Sequence, residues 1–402
     1  MVAYISRLQL PDPAANSLQT VRMAAALAEL RESTALFVHD LAAPEADIRR
    51  AYGIERSNLR FWPLGARRWP GPVYNQAMLR FLTYNAGVAG IVSLHPAWRR
   101  LDAADRVLFV RSRLEILYWG LLRPYLPWLR DWLLACELHD LPGGGEEPDE
   151  TPARAARMAR ALKNYDLVIT VNQALAEDLT RLTEGAVCGQ VLPLCSGLER
   201  LAAPPAAPPL DGRVVIGYFG TIDRGHGIET AIRALEYLPE RFVLRLTGRV
   251  RPDAKDWVAA GAKTGRVEVR GPVPYAQMAA EIDGCHLALV PAGASVHATR
   301  YRSPLKIFDA MLRGKPILAA DVPCHRELLQ ADETAQLFRS GDPADLAAAV
   351  QALAADPPQM QRLARAAWEA SAAYTYPARA RALLARMDAA RCQKRKGKSA
   401  HG

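Results

Sequence analysis

The chain of 402 residues is half apolar and 23% charged, which excludes an intrinsically disordered polymer and exceeds what one hydrophobic core serves. Two domains of about 200 residues each are expected. The formal net charge of +9 does not point to nucleic acid, because the last twelve residues hold Arg391, Lys394, Arg395, Lys396 and Lys398 without an acid.

In chain order, AYISR, a helical pattern from Leu18 to Leu30 and STALFVHD open a β-α-β alternation. DRVLFVRS, ACELHD, YDLVITVN and QVLPL continue it as strands, so residues 1–200 read as one doubly wound α/β domain. Between Arg80 and Arg99 lies the longest run without formal charge, but Thr83, Asn85, His95 and Pro96 make it a poor membrane span. In RLEILYWGLLRPYLPWLRDWLL, Trp119, Trp128 and Trp132 mingle with Arg113, Arg123 and Arg130. That mixture suits either contact with a membrane surface or a packed interior, and Pro124 and Pro127 break any single amphipathic helix.

The proline-rich stretch 201–212 reads as a stiff linker. The alternation then restarts: RVVIGYFG, a helix from Gly227 to Leu238, RFVLRLTG, VEVRG, a helix after Pro274, HLALVP, a helix from Pro304, and KPILAAD. Residues 213–357 thus form a second doubly wound domain. The helical stretch 358–390 is expected to cross back to the first domain, and 391–402 to be a solvated basic tail. Two open α/β sheets place the carboxyl ends of their strands around one cleft, where such sheets bind ligands.

Six cysteines stand far apart with no metal-ligand spacing, and the start MVAYISRLQLPDP lacks the features of a signal peptide. A reducing, cytoplasmic setting is expected, with peripheral contact at the inner face of the membrane as an extension of it.

Three constellations carry chemistry. Ser303 and Pro304 have the residue types of a helix N-cap and first position, which places Lys306 in the first turn beside free N–H groups that attract phosphate. Asp309, three residues on, shares that face, at a depth suited to ribose hydroxyls; the same spacing also describes an ordinary capped helix with a surface ion pair. The run VVIGYFGTIDRGHG leads a strand into a loop with Gly220, Thr221 and Arg224, where glycines admit a diphosphate and Arg224 clamps it, or where a solvent-facing arginine simply follows a turn. His139 ends a strand-like run, placed for a sugar hydroxyl or for a structural role.

The segment SPLKIFDAMLRGKPILAADVPCHRE (303–327) resembles the GT-B-fold retaining glycosyltransferases of family 4. GYFGTIDRGHGIETAIRAL, VEVRGPVPYAQM and YTYPARARALL are similar to further family segments, and PAANSLQTVRMAAALAEL and ELHDLP match more weakly. The resemblance implies the GT-B fold, two Rossmann-like domains facing an interdomain cleft. It implies a donor site at Gly220, Thr221, Arg224, Ser303, Pro304, Leu305, Lys306 and Asp309, with His139 near the transferred sugar and Asn16 on the acceptor side. It further implies a UDP- or GDP-sugar donor, no cofactor and no metal, and transfer of a hexosyl unit to a glycan or lipid-linked acceptor in surface polysaccharide synthesis. Three positions depart from the family pattern: Tyr301 replaces a glutamate, Thr221 and His226 replace an arginine and a lysine, and Asp309 replaces a longer glutamate. These departures keep a non-catalytic nucleotide-sugar-binding protein of the same fold as an alternative, beside a nucleotide-sugar epimerase.

Overall fold

The computed structural model describes residues 1–12, 14–31, 34–65, 73–100, 105–142, 151–206, 210 and 212–399. Strand β1 (Val2–Ile5) is buried at all four positions, as a central strand of a parallel sheet covered on both faces should be. A short ribbon of β2 (Gln9–Leu10) and β4 (Asp40–Leu41) stands apart. The main sheet adds β3 (Thr34–Val38), β5 (Arg60–Pro63), β6 (Val107–Val110), β7 (Leu133–Leu138), β8 (Leu167–Thr170) and β9 (Gln190–Val191). Its order is β5-β3-β1-β6-β7-β8-β9, with Val2 opposite both Thr34 and Val107.

The second sheet contains β10 (Val214–Phe219), β11 (Phe242–Thr247), β12 (Val267–Gly271), β13 (Leu287–Val290), β14 (Ile317–Asp321) and β15 (Gln336–Arg339), ordered β12-β11-β10-β13-β14-β15. Both sheets reverse direction of growth beside their first strand. That switch point opens a crevice at the carboxyl ends, where β10 runs into Gly220 and β7 into His139. The sequence reading omitted β5 and β15. Both are half-exposed edge strands, RFWP and QLFR, without the apolar run that marks a central strand.

The helix Tyr376–Ser399 packs Ala380, Leu383 and Met387 into the first domain's core beside Val21 and Leu27. The expectation of a solvated basic end gives way here. Lys394 Nζ lies 2.9 Å from Asp166 and Arg391 donates to the Asp105 carbonyl at 2.8 Å, so two of the tail's cations hold a helix onto the first domain. The linker begins fastened as well: Leu201 N donates to Leu312 O, and Trp368 Nε1 donates to Leu201 O at 3.0 Å. Its residues 207–209 and 211 lie outside the described residues, as does the glycine run 143–145.

Trp119 and Trp132 are buried, with Trp132 stacked on Trp98 at 5.7 Å between ring centroids. Those two indoles build the core, while Trp128 is half-buried and Tyr125 exposed. By contrast, the helix Val73–Leu94 contains a window, Ala77–Leu94, long and apolar enough by length and composition to cross a membrane, against the sequence expectation. One stripe of it, Tyr84, Val88 and Val92, is buried in the first domain's core, with the Tyr84 hydroxyl donating to the β3 carbonyl of Phe37 at 2.8 Å.

Candidate functional site

The loop after β10 is built by close backbone approach. A Cβ on Gly248 would lie 1.8 Å from the Gly220 carbonyl, and one on Gly227 would lie 2.2 Å from that of Ala292, so the loop is pressed between the ends of β11 and β13. Gly220 itself has φ 129°, and a Cβ there would stand 3.6 Å from Lys306 Nζ. The Lys306 ammonium donates to the Tyr218 hydroxyl at 3.1 Å and sits 4.5 Å from that ring's centroid. Burial, and then the charge of Arg302, pull its pKa down to about 7. The helix starts at Leu305, with Pro304 as its N-cap. The amides of Leu305 and Lys306 are therefore first-turn donors that helix geometry leaves unused. The Lys306 side chain stands against Gly220, and with the unused amides and positive end of its own helix it makes an arrangement suited to a phosphate chain.

Several predicted partners are placed elsewhere. Thr221 is exposed, and its carbonyl accepts from the Tyr218 hydroxyl at 2.6 Å. Arg224 is exposed too, with Nε donating to the Asp253 carbonyl at 3.4 Å on the outer side of the loop. Arg302 instead stands beside the loop: it donates to the Gly225 carbonyl at 3.2 Å and its charge is felt at Lys306 and His226. His226 pairs with Asp223 at 2.6 Å, and burial, then Lys306 and Arg302, lower its pKa to about 4. A neutral imidazole therefore occupies the position where the family pattern has a lysine.

Ser303 is not the helix cap expected of it. Its hydroxyl accepts from Leu194 N in the first domain at 3.2 Å, because the helix starts one residue later than the Ser-Pro pattern suggests. Asp309 is buried, and its Oδ1 accepts from the Ser196 hydroxyl at 2.5 Å and from the Tyr275 hydroxyl at 3.1 Å. Burial raises its carboxyl to about 6. Both side-chain hydrogen bonds of Asp309 among the described residues go to Oδ1, which leaves Oδ2 as the oxygen able to accept from a hydroxyl. Tyr301 is turned toward the first domain, where its hydroxyl donates to Asp178 at 2.5 Å.

Across the cleft, His139 follows β7 and retains 31% of its side-chain surface. Its Nε2 lies 2.8 Å from Arg111 Nε and 2.8 Å from Glu137 Oε1, which leaves Nδ1 as the ring nitrogen without a protein partner among the described residues. Glu137 is buried, and burial alone would raise its pKa. Arg379, at 2.8 Å from the terminal helix, and Arg111, at 3.2 Å, hold it well below the usual range. His139 is lowered by burial and by Arg111, so it is neutral near pH 7. Arg111 also donates to Thr20 Oγ1 at 2.9 Å and to the Asn16 carbonyl at 3.4 Å, which ties exposed Asn16 to the histidine's frame.

Sequence reasoning missed Arg302, Tyr275, Glu137, Arg111 and Arg379. Arg302, adjoining the SPLK segment, and Glu137, two residues before His139, carried a local signal; Arg111, Tyr275 and Arg379 meet the site only through tertiary contacts 28 to 242 residues apart.

Residues 224–385 match a family model described as glycosyl transferase-like. No curated protein matches the chain in sequence. Among solved structures, sucrose-phosphate synthase from Thermosynechococcus elongatus superposes with a TM-score of 0.72 at 20% identity, covering 95% of this chain and 96% of that one. HepE from Anabaena in complex with UDP gives 0.68 at 15% identity over 96% and 99%. Its complex with UDP-glucose gives 0.67 at 15% identity over the same shares. At these identities the likeness shows the fold, which is the GT-B arrangement of two Rossmann-like domains.

Proposed function

From a glycosyl transferase-like domain within a GT-B fold, we propose that the chain transfers a hexosyl unit from a nucleoside-diphosphate sugar to a hydroxyl of a glycan or lipid-linked acceptor, with retention at the anomeric carbon and without a resident metal. The observation that carries this reading is the placing of Lys306, in the first turn of the helix Leu305–Leu312, against Gly220 at the carboxyl end of β10. The UDP and UDP-glucose bound by HepE favour uridine over guanosine in the donor.

Bond by bond, the linkage between the anomeric carbon and the diphosphate oxygen breaks while the acceptor hydroxyl bonds to the same face. The hydroxyl proton passes to the departing phosphate. Charge accumulates on that diphosphate as the bond breaks, and Lys306, with the unused first-turn amides and Arg302 beside it, takes up that charge. Asp309 Oδ2 takes a ribose hydroxyl. His139, neutral and held by Arg111 and Glu137, offers Nδ1 to a hydroxyl of the transferred sugar. The structure holds no shift of Tyr301 toward the donor, so the sugar hydroxyls that a glutamate would meet there are met by other groups.

Calorimetric titration with UDP, GDP and their glucosides tests the reading. Saturable binding that Lys306→Ala weakens at least tenfold is expected; absence of binding by every one at millimolar concentration overturns it. Donor incubated without acceptor, followed by NMR, separates transfer from epimerisation.

A further inference from the structure

Exposed apolar surface gathers on the first domain along the helix Val73–Leu94. Its inner stripe of Tyr84, Val88 and Val92 is spent on the core, yet Met78, Leu79, Leu82 and Leu94 face outward at 54%, 38%, 43% and 70% exposure. A helix on the surface of a water-soluble domain ordinarily turns charge outward. This one has no charged side chain from Phe81 to Trp98. On the inner side, Phe81, three residues before Tyr84, contacts Tyr118 edge-on at 5.4 Å and joins the helix Arg113–Leu122 to this one.

From Arg56 to Arg100 the charged residues are of one sign only. Arg80 stands at one end of the uncharged stretch and exposed Arg99 and Arg100 at the other, and the sequence holds no Asp or Glu between Arg56 and Arg100. Arg80 Nε is buried without a hydrogen-bond partner among the described residues. Two copies of such a face would bring like charges together at the ends, whereas an anionic lipid surface meets both the apolar stripe and the arginines. Packing of the inner stripe excludes a spanning role, since insertion across a bilayer would strip Tyr84, Val88 and Val92 from the sheet. A helix lying in the interface needs no such rearrangement.

We propose that the outward face of the helix Val73–Leu94, with the flanking Arg80, Arg99 and Arg100, docks on an anionic lipid bilayer. Arg7, which follows β1 at the mouth of the cleft, covers the Phe81 ring at 4.9 Å, so the inner side of this helix borders the cleft and its docked face looks away from it. The docking is independent of the chemistry. What it adds, resting on the transfer reading, is that the acceptor is membrane-held, with its hydroxyl delivered from the lipid surface.

Flotation of the full chain with phosphatidylcholine vesicles, alone or with about a third phosphatidylglycerol, tests this. At least tenfold more protein is expected on the anionic vesicles, falling as salt rises. Leu79→Glu/Leu82→Glu should lose at least tenfold of that binding with UDP affinity and thermal midpoint unchanged. Arg99→Glu/Arg100→Glu, outside the packed stripe, should lose several-fold and decides the matter if the first variant unfolds. Equal flotation on both vesicle types, retention by both variants, or a dimer dissolved by Leu79→Glu/Leu82→Glu without vesicle binding overturns the proposal, the last assigning the face to a second copy. A protein that floats yet binds no nucleotide breaks the transfer reading and leaves the docking intact.

Discussion

The two walls of the cleft both gather cations, but they treat them differently. On the first domain, Arg111 and Arg379 enclose the buried carboxylate of Glu137. Their charge is consumed locally and serves to hold His139. On the second domain, burial and the charge of Arg302 lower the Lys306 pKa, with no carboxylate in direct contact among the described residues, and His226 beside them is driven neutral. Cations arranged this way are costly in the empty protein and are relieved by an anion. The contrast teaches that one wall holds a neutral imidazole among paired charges while the other keeps cationic charge open to an anion, as the proposed transfer requires.

The largest effect expected from breaking this contrast is on the satisfied wall. Arg379→Met leaves Glu137 with Arg111 as its one charged partner beside neutral His139 and should destabilise the fold by about 3–5 kcal/mol, read from urea midpoints. A loss below about 1 kcal/mol would mean that Arg111 alone neutralises the pair. On the other wall, Lys306→Ala should leave stability nearly unchanged and weaken UDP about 10- to 100-fold, the range of a charged hydrogen bond.

Asp309→Asn sharpens the comparison from within. Because the folded carboxyl is raised from 3.8 to about 6, the stability it contributes is present below pH 4 and is lost as pH climbs through 6. The amide escapes that loss. Its thermal midpoint should exceed the parent's at pH 7.5, by on the order of 2 kcal/mol in stability, and match it near pH 4, while ribose affinity falls. A lower midpoint at pH 7.5 would show that the ionised form is needed by Ser196 and Tyr275.

Lys306 adds a smaller, graded effect. With its free pKa at about 7, a bound diphosphate favours the ammonium, so affinity for a nucleotide sugar should fall as pH rises from 6.5 to 8.5, approaching tenfold per unit. Calorimetry in buffers of different ionisation heat would register the accompanying proton uptake; a flat profile would mean that the lysine stays charged without ligand. Smallest is Arg224→Ala. Since that guanidinium leans on the Asp253 carbonyl, UDP affinity should change less than about twofold, and Arg302→Ala should exceed it.

Most of the architecture was legible along the chain because its signals are local. Buried parallel strands such as VAYI and LALV are continuous apolar runs, and a glycine loop or an SPLK helix start is written in neighbouring residues. The edge strands RFWP and QLFR escaped because half-exposed strands lack that run. Lys306 and Gly220 could be found for the same reason as the central strands: each sits at a fixed offset from an element boundary. What each polar side chain does with its hydrogen bonds was beyond that reach. Ser303 answers Leu194, Tyr301 answers Asp178 and Asp309 answers Ser196, partners more than a hundred residues away that only the closure of two domains brings within 3.2 Å. The same holds for the outward stripe of the helix Val73–Leu94. Composition marks it as apolar, but which face the core takes, and therefore which remains to meet a bilayer, is decided by packing.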